Sequence, residues 1–280
     1  MKDCPLVSIL VANFNNGRFI AETLESAVSQ TYPNIEIVIA DDGSEDDSLE
    51  VIDRFVSEHT DLRIRLFKNN DHKGCGRIKR QCVEVSEGEF FCFLDPDDTA
   101  SPEAVATLMA VFSAHPEYGI VYCTHYLCNE KLEPQDVSDY PGPIPEGQSH
   151  LTSTAGHISA LALCSRRVYD KTSGIDPSCQ VSEDQDLYLK MEEVAPVCFV
   201  DKPMYFYRHH DSNNSWNDDH KRDNIFFRYK VRSAAFRRRR RTHAAPNITL
   251  RQHLQEWLSC QLQLRNIRRK QKRSTHLQFY

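Results

Sequence analysis

The sequence predicts an α/β protein, a mostly parallel sheet flanked by helices and followed by a basic helical C-terminal tail. Three observations predict it. Apolar strand-like runs alternate with helical spacings over the first 125 residues. Two of those runs end in clusters of aspartate, at Asp41-Asp42 and at Asp95, Asp97 and Asp98. Charge is also partitioned. Residues 221–280 hold 17 Lys and Arg against only Asp223 and Glu256, although the whole chain carries −6, so the preceding part is strongly acidic.

The elements follow in order. A first strand spans 6–11 and leads to a turn at Asn15-Asn16-Gly17, after which Ile20, Leu24, Ala27 and Val28 keep helical spacing. A second strand, 35–40, ends at Asp41-Asp42-Gly43-Ser44. Leu49, Ile52 and Val56 mark the next helix, which has acids in its first turn. Strand 64–67 precedes a helix striped by Ile78, Cys82 and Val85, and strand 90–94 runs into the second acidic cluster. This repeat implies parallel strands with right-handed crossovers, whose ligands bind at the carboxyl ends of the strands. Both clusters fall there. Ser101 then caps a helix opened by Pro102 and running to His115. Residues 120–124 read as a strand, and 133–150, with four prolines and two glycines, as an irregular loop. Residues 157–164 read as strand, 183–193 as helix and 203–208 as a short strand.

No run approaches ~18 uninterrupted apolar residues, so no transmembrane helix is expected. The N-terminal apolar run lacks a small-residue cleavage site and reads as a strand, not a signal peptide. None of the ten cysteines forms a C-x-x-C pair, and Cys82, Cys92, Cys123 and Cys164 sit in apolar runs. They read as buried thiols of a reducing cytosol.

Asp95, Asp97 and Asp98 crowd like charges together. A divalent cation carrying a diphosphate would relieve them, since magnesium takes one or two carboxylates plus substrate phosphates. Aspartates also serve turns, but the place after a buried strand favours the cation. Asp184, in Ser182-Glu183-Asp184-Gln185-Asp186, reads from charge alone as part of a helix start suited to the dipole. His210 lies in a polar stretch, RHHDSNNSWNDDH, and histidine is a common metal ligand. Trp216 in the same stretch could stack on a sugar or anchor the segment.

The segment PLVSILVANFNNGRFIAETLESAVSQTYPNIEIVIADDGSEDDSLEVI resembles the N-terminal half of inverting, family 2 type glycosyltransferases of the GT-A fold. HKGCGRIKRQCVEVSEGEFFCFLDPDD resembles their next unit, ISALALCSRRVYDKTSGIDPSCQVSEDQDLYLKM their acceptor side, and YRHHDSNNS their closing segment. The resemblance covers roughly residues 5–216. It implies that Asp42 accepts from the uracil ring, that Ala12 and Asn13 line the base pocket, and that Arg80 stands near base and phosphates. It places Asp95 and Asp97 on the nucleotide, Asp97 and Asp98 on the metal, and His210 on metal or phosphate. Asp184 becomes the catalytic base. Arg77 and Lys79 crowd Arg80 where small residues are common, and Phe14 replaces a common tyrosine.

The resemblance thus implies an inverting transferase dependent on Mn2+ or Mg2+, moving sugar from a nucleoside-diphosphate sugar, UDP-linked, to a glycan or lipid-linked glycan. One carboxylate base suffices for inversion by direct displacement. The expected division is a catalytic domain over 1–219, with its nucleotide half at 1–100 and its acceptor half at 101–219, and an extension over 220–280. A nucleotidyltransferase is the alternative enzyme, but it needs a Gly-rich loop where ANFNNGRF has one glycine. A non-catalytic nucleotide-sugar-binding protein is opposed by Asp98 and Asp184 both being present.

In the tail, RRRRR at 237–241 and RRKQKR at 268–273 flank Leu250, Leu254, Trp257, Leu258 and Leu264 at helical spacing. A basic segment with such a stripe reads as a membrane-surface element, which places a cytoplasmic protein peripherally on an inner membrane face. The alternative is a tail folded onto its own acidic domain; nucleic acid is the least favoured partner.

Overall fold

The computed structural model describes residues 4–211 and 221–241, with 258, 261–262 and 265 beyond them. The chain runs β1 (Val7–Asn13), α1 (Ile20–Val28), β2 (Ile35–Asp41), α2 (Ser48–Glu58), β3 (Ile64–Lys68), α3 (Cys75–Val85) and β4 (Phe90–Phe93). It continues with β5 (Thr99–Ala100), α4 (Ala104–Ala114), β6 (Ile120–Cys128), β7 (Pro134–Val137), β8 (Ala162–Ser165) and α5 (Arg166–Tyr169). Last come α6 (Glu183–Glu192), β9 (Val197–Arg208) and α7 (Lys221–Arg241).

The central strands are apolar throughout because both faces are covered. Side chains alternate across a strand. On β1, Val7, Ile9 and Val11 therefore join Ile20, Leu24, Ile52 and Leu108 on one side of the sheet. Leu10 joins Ile78, Cys82, Leu187 and Met191 on the other. The sheet order is β3-β2-β1-β4-β8-β6-β9-β5, with β7 paired to β6. Strands β3, β2, β1 and β4 are parallel, as the sequence implies. The acceptor half is mixed: β8 is antiparallel to both β4 and β6, β6 is parallel to β9, and β5 is antiparallel to β9. Strand order reverses between β1 and β4, β2 and β3 lying on one side of β1 and β4 on the other, which opens the crevice where such sheets bind ligands.

Three departures from the expected elements matter. Strand β9 is twelve residues long, not six, and its register on β6 shifts around Cys123 and Thr124, where the polar Asp201-Lys202-Pro203 interrupts it. The loop expected over 133–150 contains β7, which pairs with β6. The strand read at 157–164 is confined to Ala162–Ser165.

Helix α7 docks on α6. Val231, Ala235 and Phe236 pack with Leu151, Cys179 and Leu189. Arg238 pairs with Glu193 at 2.8 Å and Arg239 with Glu192 at 2.8 Å. The start of the basic tail thus meets the acidic domain, as its self-docking reading expects. Trp216, Leu250, Leu254, Trp257, Leu264 and the basic run 268–273 lie outside the described residues. Among the described residues no helix is long and apolar enough to cross a membrane.

Candidate active site

At the carboxyl ends of β1 and β2, Asp41 builds the turn. It accepts from the N–H groups of Gly43 and Ser44 and from the Asn13 amide at 2.8 Å. The buried Oδ1 of Asn13 has no hydrogen-bond partner among the described residues. Asp42 is buried and accepts from the N–H groups of Lys73 (2.9 Å) and Gly74 (2.8 Å), with His72 Nδ1 at 2.9 Å. This folds loop 71–74 over the end of β2. The approach is close: Gly43 has φ +76°, and a Cβ there would lie 2.9 Å from the Asp71 carbonyl carbon. His72 meets Phe14 ring to ring, centroids 4.0 Å apart and tilted 33°. Both rings are substantially exposed. The pair offers a flat surface beside Ala12, Asn13 and Asp42, and aromatic stacking of a base is worth about 1–3 kcal/mol. His72 escaped sequence reasoning because a loop histidine carries no periodicity.

The three aspartates after β4 have different surroundings. Asp95 lies 3.0 Å from Lys79 Nζ. Asp97 Oδ2 lies 3.0 Å from His210 Nε2. Asp98 is buried: Oδ2 accepts from the Tyr205 hydroxyl at 2.6 Å and Oδ1 from the Arg208 N–H at 2.7 Å. Burial first, and then the charges of Asp97 and Asp95, push its carboxyl well above the ordinary range. Where the sequence reads Asp98 as the principal metal ligand, its carboxylate turns inward and ties β9 to the loop. Asp97 and His210 instead meet each other, with the His210 ring buried.

Arg208 sets that pair. Its buried guanidinium donates to the Asp97 carbonyl (2.6 Å), the Glu130 carbonyl (2.7 Å) and the Glu22 carboxylate (2.6 Å). It also lies 4.6 Å over the Phe19 ring, and Phe19 packs on His210 at 4.5 Å.

The donor atoms of Asp97 and His210 suit a divalent cation. The two are hydrogen-bonded to each other at 3.0 Å, and a carboxylate oxygen and an imidazole nitrogen are both donor types that divalent cations take. Among the described residues no three His, Cys, Asp or Glu side chains gather to hold a metal. A two-donor protein site that leaves the other positions to phosphate and water is the usual magnesium arrangement. The imidazole nitrogen moves the preference from Mg2+ toward first-row transition ions.

On α3 the residue facing the site is Lys79, not Arg80. One step along a helix turns a side chain by about 100°. Lys79 is buried, with Nζ 3.0 Å from Asp95 and 2.9 Å from Glu183. Burial opposes its charge, but Asp95 and Glu183 outweigh burial and hold the ammonium well above its ordinary range. Arg80 instead points away from the cleft, to Glu84 (2.7 Å) and the carbonyls of Ser173 (3.2 Å) and Ile175 (3.1 Å). Lys79 therefore joins the aspartate loop to the start of α6.

Just before α6, Ser182 adopts the left-handed conformation with φ 63°. Such strain in a non-glycine residue clusters at functional sites. Of the acids in the first turn, Glu183 goes to Lys79 and Asp186 to Lys190 at 2.6 Å. Asp184, half-buried, has no ion pair among the described residues. Burial, and then the Glu183 charge, push its carboxyl up to about 6.

Comparison with known proteins adds three findings. The family model described as glycosyl transferase family 2 matches residues 8–172. Chondroitin synthase of Escherichia coli is 30% identical over 216 residues, covering 77% of this chain and 30% of that protein. A second E. coli protein, UDP-Glc:alpha-D-GlcNAc-diphosphoundecaprenol beta-1,3-glucosyltransferase WfaP, is 43% identical over 93 residues, 33% of this chain and 36% of that protein. The chain spans only 21% to 35% of the length of the first three curated relatives. In fold it is similar to S. aureus TarS 1-349 in complex with UDP-GlcNAc, with a TM-score of 0.64 and 19% identity over 91% of this chain and 78% of that one. The mannosyltransferase PcManGT from Pyrobaculum calidifontis, in complex with GDP-Man and Mn2+, also gives a TM-score of 0.64. It is 16% identical over all of this chain and 82% of that one.

Proposed function

The chain belongs to glycosyl transferase family 2, and from that premise we propose that it is a metal-dependent inverting glycosyltransferase. In this reading it moves a sugar from a UDP-sugar to a glycan or lipid-linked glycan. The observation that carries it is the meeting, at one sheet edge, of the Asp97–His210 pair with Asp184, joined through Lys79, Asp95 and Glu183. The Phe14–His72 surface and the Asp42 turn receive the base. Asp97 and His210 would hold the cation at the diphosphate, and Asp98 fixes the loop and β9 that carry them through Tyr205 and the Arg208 N–H. A divalent ion supplies Lewis-acid neutralisation of the leaving diphosphate. Lys79, neutralised by Asp95 and Glu183, ties the aspartate loop to the start of α6 and so holds the cation site and Asp184 at a fixed spacing. Asp184 takes the proton of the acceptor hydroxyl, and its raised pKa suits a base working near neutrality.

UDP is supported by the UDP-GlcNAc complex of TarS and by the UDP-Glc named for WfaP; GDP, bound by PcManGT, is the competing donor. The lipid-diphosphate acceptor named for WfaP supports a lipid-linked acceptor. A cytoplasmic site of action, peripheral on a membrane, fits such an acceptor. Because Arg238 and Arg239 bind glutamates, membrane contact in this reading falls to the cations of 251–273. The test is thermal stabilisation by a panel of UDP- and GDP-sugars with Mn2+. A UDP-sugar at a hundred times its Kd should add about 2.7 kcal/mol, several degrees in Tm. Stabilisation by GDP-sugars alone would overturn the UDP assignment.

A further inference from the structure

Arg80 follows Lys79 on α3, yet its contacts run to a different part of the molecule. The segment 173–176, which leads to the turn at Ser182 and so to Asp184, presents three successive carbonyls to cations. Arg80 Nη1 donates to those of Ser173 (3.2 Å) and Ile175 (3.1 Å), and Lys190 Nζ to that of Gly174 (2.6 Å). Lys190 is buried on α6 and also pairs with Asp186, one turn earlier, at 2.6 Å. Asp186 Oδ2 in turn accepts from the Asp176 N–H at 2.8 Å. The segment is thus fastened to the first turns of α6 by Asp186 and Lys190, and to α3 by Arg80.

The backbone leaves little slack. Gly174 has φ +68°, and a Cβ there would lie 2.7 Å from the Tyr169 hydroxyl and 3.5 Å from Arg80 Nη1. The Ile175 N–H donates to the same hydroxyl at 3.3 Å. Further along, the Cys179 carbonyl accepts from the Gly76 N–H of α3 at 2.8 Å, and Lys230 of α7 donates to the Ser178 hydroxyl at 2.8 Å. The chain then enters the left-handed Ser182, whose carbonyl accepts from the Asp186 N–H at 3.1 Å. Asp184 lies inside that turn. Two adjacent cations of α3 therefore grip the start of α6, Lys79 at Glu183 and Arg80 through the segment that precedes it. Among the described residues all hydrogen bonds of Arg80 go to Glu84 and the two carbonyls, and none to the nucleotide turn or the aspartate loop.

We propose that Arg80 is a positioning residue for the base: it holds segment 173–176, and through Asp186 and Lys190 the start of α6, so that Asp184 stays aimed at the acceptor hydroxyl. The inference rests on the reading of Asp184 as the base. It gives Arg80 a role on the acceptor side, where the resemblance implies one beside base and phosphates. A guanidinium suits the task, because its fork serves the two carbonyls through Nη1 while Nε donates to Glu84 at 2.7 Å. The side chain is 35% exposed, so substitution leaves the core intact.

The experiment is a double-variant cycle on the full chain. Its readouts are UDP released from UDP-glucose or UDP-N-acetylglucosamine with Mn2+, water serving as acceptor, and calorimetric titration of UDP with Mn2+. Arg80→Gln should lower kcat about tenfold, within what a displacement of about 1 Å costs, and should leave UDP affinity and donor KM within about twofold. Arg80→Lys should recover part of the rate, since an ammonium can still donate to one carbonyl. Glu84→Gln, which touches only the exposed ion pair, should leave the rate within about twofold. In an Asp184→Asn background Arg80→Gln should cost nothing further, because aiming a carboxylate has no effect once the carboxylate is gone. A tenfold loss of UDP affinity in Arg80→Gln, an unchanged kcat, or an equal loss in both backgrounds, each about the size stated, overturns the proposal. A wild-type rate in Asp184→Asn with Arg80 intact is the separate failure of the base reading, and it takes the proposal with it. If neither donor is hydrolysed, hydrogen exchange decides. Arg80→Gln should then speed exchange of the Asp176 and Asp186 amides about tenfold while those of Gly43 and Ser44 at the nucleotide turn keep their protection. Unchanged exchange at Asp176 and Asp186 overturns the proposal.

Discussion

Asp184→Asn should lower turnover about a thousandfold while leaving UDP affinity within about twofold of wild type. In the proposed reaction the carboxylate acts on the acceptor hydroxyl, so its loss removes an interaction made in the transition state and none made with the donor. Asparagine keeps the shape and the start of α6, so the fold should be intact. The pH profile supplies the signature. A base must be ionised, and burial with the neighbouring Glu183 charge raises this one to about 6. Below that pH wild-type kcat/KM should fall about tenfold per unit, and above it the rate should level off. The residual activity of the variant should lack that limb. Transfer at a near wild-type rate, or a profile with no break between pH 5 and 7, would assign the base elsewhere.

Arg208→Ala should destabilise the protein by on the order of 2–4 kcal/mol, chiefly through backbone carbonyls that lose their donor. The Asp97 and Glu130 carbonyls would lose their donor, each at about 1–3 kcal/mol if left buried and unpaired. The contact over Phe19 would go as well. Glu22 is 60% exposed, so that ion pair itself adds little. Arg208→Lys should recover only part of the loss, because an ammonium cannot span three acceptors as the planar fork does. The urea midpoint of each variant measures this. A cost below about 1 kcal/mol for alanine would mean that the aspartate loop holds its shape without Arg208.

The nucleotide half was legible in the sequence because its physics is local. Apolar runs of the right length gave β1 to β4, and helical spacing gave α1 to α3. The acceptor half was less legible. Strand β9 is held by pairing with β6 across a long sequence separation, and β5 is two residues long; neither leaves a periodic trace. At the site the sequence named Asp97 and Asp98 together and chose Arg80 on α3, whereas the structure gives Asp98 buried partners and puts Lys79 on Asp95 and Glu183. Asp97 against Asp98, and Lys79 against Arg80, differ by one position, and only packing fixes which side of the loop or helix each takes. His72 comes from a loop and becomes visible only when that loop folds over the end of β2.

In the proposed reaction the Asp97–His210 pair binds a nucleoside diphosphate through a divalent cation. Calorimetric titration of UDP into the wild-type chain, with and without Mn2+, tests it most directly, with Asp97→Asn and Asp98→Asn beside it. Tight binding is expected only with Mn2+, with a loss of about tenfold or more in Asp97→Asn, at least what perturbing a metal's surroundings costs. Asp98→Asn is expected to act mainly by lowering stability. Metal-independent UDP binding, or metal-dependent affinity that survives Asp97→Asn and disappears in a folded Asp98→Asn, would contradict it.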